Sequence, residues 1–151
     1  MKTRVGDLIE LALGGEFDVI VHGCNCYCTM GGGIARAIRA RLPEAYEADC
    51  ATEAGDLSKL GSYTSAEIVR DGVRFTVVNA YTQGGYSGSG RLADYDAIRK
   101  VFKAIAAAYP RARIGYPKIG AGLAGGDWDT ISAIIDEELA GCDHTLVVLP
   151  G

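Results

Sequence analysis

Val21-His22-Gly23-Cys24-Asn25-Cys26-Tyr27-Cys28-Thr29-Met30-Gly31-Gly32-Gly33-Ile34 is the stretch on which the reading of this chain turns. Residues 17–21, at its start, are apolar and rich in β-branched side chains, which predicts a buried strand. A polar, cysteine-rich turn follows, then three consecutive glycines, then residues 34–42, whose apolar side chains fall at helical spacing. The pattern is strand, glycine loop, helix. Glycines carry no Cβ, so the backbone can take positive φ and other groups can approach its N–H donors. The first turn of a helix leaves such donors unpaired and carries partial positive charge, which suits a phosphate. A tight strand-to-helix connection with no ligand is an equal alternative for the loop alone. It has neither the GxGxxG spacing of a dinucleotide fold nor the GK[ST] ending of a triphosphate loop.

A second loop of the same kind lies far down the chain, in Gly115-Tyr116-Pro117-Lys118-Ile119-Gly120-Ala121-Gly122-Leu123-Ala124-Gly125-Gly126-Asp127-Trp128. A short strand over 112–116 precedes it, and an apolar-periodic helix over 130–139 follows. Two such loops at the carboxyl ends of strands in one open α/β sheet would face a common crevice, where sheets of this kind bind ligands. One ligand could then lie between both.

The remaining chain supplies the rest of such a sheet. Residues 2–5 predict a short strand and residues 8–13 a short helix, with Asp7 a good N-terminal cap and Gly14-Gly15 its end. Pro43 opens another helix running to about residue 53, whose alternating acids and alanines read as a solvated face. Residues 62–69 and 73–81 read as strands joined at Asp71-Gly72, a strong hairpin signal that makes the sheet mixed. The glycine- and serine-rich loop 84–90 should be mobile, and could cover a ligand or simply be slack. Residues 94–109 predict an amphipathic helix with Tyr95, Ile98, Val101, Phe102 and Ile105 facing inward, and residues 145–149 a last buried strand. Strands alternating with helices, without repeat or long linker, predict one α/β domain over 1–151.

Composition agrees with that and excludes some classes. Hydrophobic residues at 48% and charged ones at 23% are those of an ordinary globular chain, and 151 residues can bury a proper core. A net charge of −4 argues against a large non-specific nucleic-acid surface. No stretch approaches the roughly 20 apolar residues of a membrane span, and the N-terminus lacks the apolar core of a secretory signal. The five cysteines are then most simply free thiols in a reducing cytosol, so a cytoplasmic location is expected. Cys24, Cys26 and Cys28 alternate after His22, yet no second ligand pair accompanies them beyond the isolated Cys50, Cys142 and His144. Small, soft side chains packed under a loop explain them better than a metal site.

In combination these motifs resemble the macrodomain family, the ADP-ribose-binding module, over nearly the whole chain. Gly6-Asp7-Leu8 resembles the family's opening GD[IL], the stretch from His22 to Ile34 its Asn-and-glycine first loop, and residues 117–123 its second. His22-Gly23-Cys24-Asn25-Cys26, Met30-Gly31-Gly32-Gly33-Ile34-Ala35 and Leu42-Pro43-Glu44-Ala45 look most like the branch of small ADP-ribose-1″-phosphate phosphatases. The resemblance implies a three-layer α/β/α fold around a mixed sheet of about six strands. It also implies that the ligand is ADP-ribose or its 1″-phosphate, with ADP-ribosylated macromolecules as further partners. The protein is expected to be a monomer without cofactor or metal.

By the same resemblance Asp7 accepts from the adenine amino group, with Leu8 beside it and Pro150 against the adenine. Met30, Gly31, Gly32, Gly33 and Ile34 in one loop, and Ile119, Gly120, Ala121, Gly122 and Leu123 in the other, would surround the diphosphate. Backbone amides can bind it without any lysine. Asn25, which offers both a donor and an acceptor, and Thr82 and Gln83 would lie by the distal ribose. His22, where the phosphatase branch has a histidine, is the first candidate for moving protons, and a buried histidine satisfied by backbone is the alternative. Asp127 is the second candidate, unless it only caps the helix after it. The branch that removes ADP-ribose from glutamate has a lysine and an aspartate where this chain has Gln83 and Ala124. A lysine-dependent covalent route is thereby disfavoured.

Overall fold

Apolar side chains that alternate along the strands give the central sheet two greasy faces, and the helices cover both. The computed structural model describes residues 1–85, 92–122 and 124–151. In chain order the elements are β1 (Lys2–Val5), α1 (Leu8–Leu13), β2 (Val19–Cys24), α2 (Gly33–Arg41), α3 (Pro43–Cys50), β3 (Tyr63–Arg70), β4 (Val73–Tyr81), α4 (Tyr95–Ala108), β5 (Arg113–Tyr116), α5 (Trp128–Glu138) and β6 (Asp143–Val148), with one 3-10 turn at Leu57–Lys59. The strand order is β1-β6-β5-β2-β4-β3. All neighbours are parallel except β3 and β4, so the sheet is mixed, as the hairpin signal implies. Asp71 at φ 50° and Gly72 at φ 80° make the left-handed pair that a two-residue hairpin turn requires.

Val19 and Val21 of β2 and Val78 and Ala80 of β4 face one side, packed under Ile98, Val101, Phe102 and Ile105 of α4 and Ile131 and Ile135 of α5. Ile20, Phe75 and Val77 face the other, under Leu8, Ile9 and Ala12 of α1, Ile38 of α2 and Ala45 of α3. Each fully buried Val, Ile or Phe here contributes about 1.5–3 kcal/mol relative to exposure. The result is the three-layer α/β/α arrangement.

Three boundaries differ from the sequence reading for identifiable reasons. β2 begins at Val19, the first residue in register with both neighbours, Thr76 of β4 and Ile114 of β5, while the Asp18 carboxylate holds the Arg113 side chain at 2.9 Å. It runs on to Cys24 because β4 continues beside it, pairing His22 with Asn79, Gly23 with Ala80 and Cys24 with Tyr81. α5 starts at Trp128, because the Asp127 carboxylate accepts from the Thr130 N–H at 3.0 Å and fixes the first turn two residues earlier.

The topology decides where a ligand would go. From β2 the chain passes through α2, α3 and β3 to β4 on one side, then returns through α4 to β5 on the other side of β2. Strand order therefore reverses between β2 and β5, and at such a point the loops leaving the two carboxyl ends diverge and open a crevice. Both glycine loops leave there.

Candidate functional site

A cleft of about 800 Å³ opens between those two loops. Asn25, Met30, Gly31, Gly32, Gly33 and Ile34 form its first wall, and Ile119, Gly120, Ala121 and Gly122 its second, with Gln83 contributed by the loop after β4. Leu123 lies outside the described residues, as does most of the loop expected to be mobile. Gly33, which opens α2, has φ 57°, and Gly120 in the second wall has φ 75°, both readily reached only without a side chain. Cys28 at φ 60° and Met30 at φ 39° hold the same left-handed region with side chains, a strain that the surrounding packing must sustain.

Asn25 braces the first wall from within. Its Nδ2 donates to Thr29 Oγ1 at 2.7 Å and its Oδ1 accepts from the Tyr27 N–H at 2.7 Å, so the amide folds the loop as well as lining the cleft. Asp7 caps α1, accepting from the Glu10 N–H at 3.0 Å, and stands exposed just past β1. Pro150 is exposed just past β6, the strand beside β1. Leu8 is buried in the core, and Thr82 is buried under Gly23, where a Cβ would come within 2.7 Å of its hydroxyl. Asp7, Leu8, Thr82 and Pro150 thus lie at the carboxyl end of the sheet but are not part of the cleft's lining.

The structure seats His22 behind the cleft rather than in it. The ring is fully buried, and its Nε2–H donates to Asn79 Oδ1 at 2.6 Å. A side chain, not backbone, is its partner. Burial is the larger influence and holds its pKa down to about 4, against a smaller upward pull from Asn79, so it is neutral at neutral pH. The Cys24 thiol sits 3.7 Å from Nδ1, and burial pushes it well above the usual thiol range. Asp127 is exposed, and its Oδ2 accepts from both the Thr130 N–H and hydroxyl, at 3.0 and 2.7 Å. Those bonds hold its carboxyl below the usual range, and it does not line the cleft.

The sequence reading of α3 as a solvated face needs correction. Asp49 is only 1% exposed, lines the cleft, and accepts from the Tyr81 hydroxyl at 2.7 Å. Burial pushes its carboxyl above the usual range, outweighing the lowering by Tyr81 and by the ammonium of Lys59. Lys59, also buried, donates to Thr52 Oγ1 at 2.8 Å and lies 5.1 Å above the Tyr81 ring. Phase was the one available signal: Asp49 stands four residues after Ala45, which faces the core. Cys24 and Cys26 pack with Met30 and Tyr81, and Cys28 Sγ lies 3.3 Å from the Asp49 carbonyl oxygen. Among the described residues no group of three His, Cys, Asp or Glu is arranged to hold a metal ion. No described helix is long and apolar enough to cross a membrane.

Comparison with known proteins gives a match to the Macro domain family over residues 21–135. An uncharacterised 17.5 kDa protein from the tk-vs intergenic region of Enterobacteria phage T4 is 36% identical over 141 residues, spanning 90% of this chain and 88% of its own. A Bacteroides thetaiotaomicron protein of unknown function is 26% identical, with a TM-score of 0.77 and 97% of each chain covered. Thermosipho africanus DarTG, solved in complex with ADP-ribose, shares the fold at 15% identity, with a TM-score of 0.74 over 99% of this chain and 42% of that one.

Proposed function

The chain belongs to the Macro domain family, and from that premise we propose that its cleft binds ADP-ribose and that the protein hydrolyses the 1″-phosphate of ADP-ribose-1″-phosphate. Mono-ADP-ribosyl adducts on macromolecules are a second substrate class for the same cleft. The observation that carries the reading is the pair of glycine walls leaving the adjacent strands β2 and β5 on either side of one crevice. Main-chain N–H groups, aided by the N-terminus of α2 at Gly33, suit a diphosphate lying between them. Asp7 and Pro150, past β1 and β6, then flank the adenine end. Asn25 and Gln83, past β2 and β4, flank the distal ribose, with Thr82 buried behind Gly23. The ADP-ribose held by the Thermosipho relative supports the choice of ligand. The protein would work as a cytoplasmic monomer, one domain over its 151 residues.

The test is direct. Calorimetry should show ADP-ribose binding, with AMP weaker because it leaves the distal ribose contacts unmade, and incubation with ADP-ribose-1″-phosphate should release phosphate. An unchanged rate in His22→Ala would remove that residue from the reaction. Gln83 and Ala124 stand where a related hydrolase branch has lysine and aspartate, and this favours a second reading, a module that binds ADP-ribose without turning it over. Tight binding with phosphate release at background would select it.

A further inference from the structure

Between α3 and the sheet runs a chain of buried hydrogen bonds whose direction can be assigned atom by atom. Asn79 Oδ1 can only accept, so His22 Nε2 carries its proton and donates it at 2.6 Å. Asn79 Nδ2 donates to the Ala45 carbonyl at 2.9 Å and to Thr64 Oγ1 at 3.1 Å. Thr64, having accepted, turns its own proton to the Tyr81 hydroxyl at 3.0 Å, and Tyr81 donates to Asp49 Oδ1 at 2.7 Å. From His22 through Asn79, Thr64 and Tyr81 the donors run one way, toward the carboxylate, and the second Asn79 N–H is taken up by the Ala45 carbonyl.

Asp49 is the one acidic side chain buried among the described residues. It nevertheless reaches the cleft, on the side of Cys24, Asn25, Thr29 and Met30. Burying a charge is costly unless it is well paired, and this one borders a ligand crevice while a four-residue relay holds it from behind. We propose that Asp49 is the general base of the cleft and that Tyr81, Thr64, Asn79 and His22 are its positioning residues. The inference rests on the reading of the cleft as an ADP-ribose site. A water oxygen bonds to C1″ of the distal ribose as Asp49 takes one of its protons. The bond from C1″ to the leaving oxygen breaks with its electron pair staying on that oxygen, and the proton then passes to the leaving group or to solvent. Burial raises the basicity of the carboxylate, which suits the task. The titratable groups around it are Tyr81 of β4, Lys59 beyond α3, Cys24 of β2, Cys26 and Cys28 of the loop after it, and Tyr46 on its own helix.

Asp49→Asn keeps an acceptor for Tyr81 and removes the base. Phosphate release from ADP-ribose-1″-phosphate should fall about 100-fold in kcat, the ordinary worth of general-base assistance. Affinity for ADP-ribose, which lacks the bond being broken, should stay within about threefold of wild type. A loss of less than tenfold overturns the proposal, and so does a wild type that binds ADP-ribose yet releases phosphate only at background. A wild type that fails to bind ADP-ribose overturns the reading of the cleft instead. Tyr81→Phe supplies a second readout, and carries the test if Asp49→Asn does not fold. Removing the hydroxyl that stabilises the charged form should move the acidic limb of the rate–pH profile upward, and an unmoved limb rejects the positioning role.

Discussion

Neutral, fully buried His22 ties folding to proton concentration, and the size of the effect follows from its surroundings. In the unfolded chain the ring titrates at its ordinary value of 6.5, whereas in the folded protein burial depresses it to about 4. The folded state therefore refuses a proton that the unfolded state accepts. Stability is present in full above the unfolded value and is lost as pH falls toward the folded one. Between pH 7 and pH 5 this single ring should cost about 2 kcal/mol, or about 4–8 °C in midpoint for a chain of this size. His144, also depressed chiefly by burial, pulls the same way. Asp49, raised by burial, pulls against it, because its folded form takes up a proton first. Subtracting the curve of His22→Gln isolates the ring, since glutamine offers Asn79 an N–H and has nothing to titrate. Urea unfolding of both proteins at several pH values gives the difference directly. A difference that stays flat from pH 7 to pH 5 would refute the reasoning.

Further outcomes follow from the same structure. Asn79→Ala strands the His22 N–H and the Ala45 carbonyl in the interior, and should cost about 3 kcal/mol or more in urea unfolding. Gly33→Ala meets no neighbouring atom but must hold φ 57°, so it should lose about 1–2 kcal/mol from backbone strain alone and weaken ADP-ribose binding in calorimetry. Asp127→Ala removes the cap of α5 and should cost about 1 kcal/mol by the same unfolding assay. ADP-ribose at a hundred times its Kd should add about 2.7 kcal/mol, a rise of several degrees in thermal unfolding, and no shift at saturation would argue against the proposed site.

Much of this architecture could be read from residue order, because its signals are local. The Asp71-Gly72 turn specifies its hairpin through two left-handed residues, and α4 shows its inner face through the spacing of Ile98, Val101, Phe102 and Ile105. The two glycine loops could be placed because each follows an apolar strand and precedes a periodic helix. What could not be read was pairing at a distance. Nothing near Asp49 in the chain announces Tyr81, thirty-two residues away, and nothing near His22 announces Asn79, fifty-seven away. Both partnerships exist because β2 and β4 lie side by side with α3 packed over them. A carboxylate among alanines and glutamates therefore reads as surface, and a histidine at a strand end reads as available.

Met30 answers to two masters. Its backbone sits at φ 39°, where a side chain is unwelcome, while the residue is 3% exposed and packs against Cys24, Cys26 and Tyr81. Glycine would relieve the first demand and hollow out the second, and a bulkier or branched replacement would do the reverse. No single exchange improves both, so the contour of the first wall resists gradual drift and is most easily altered by several residues changing together.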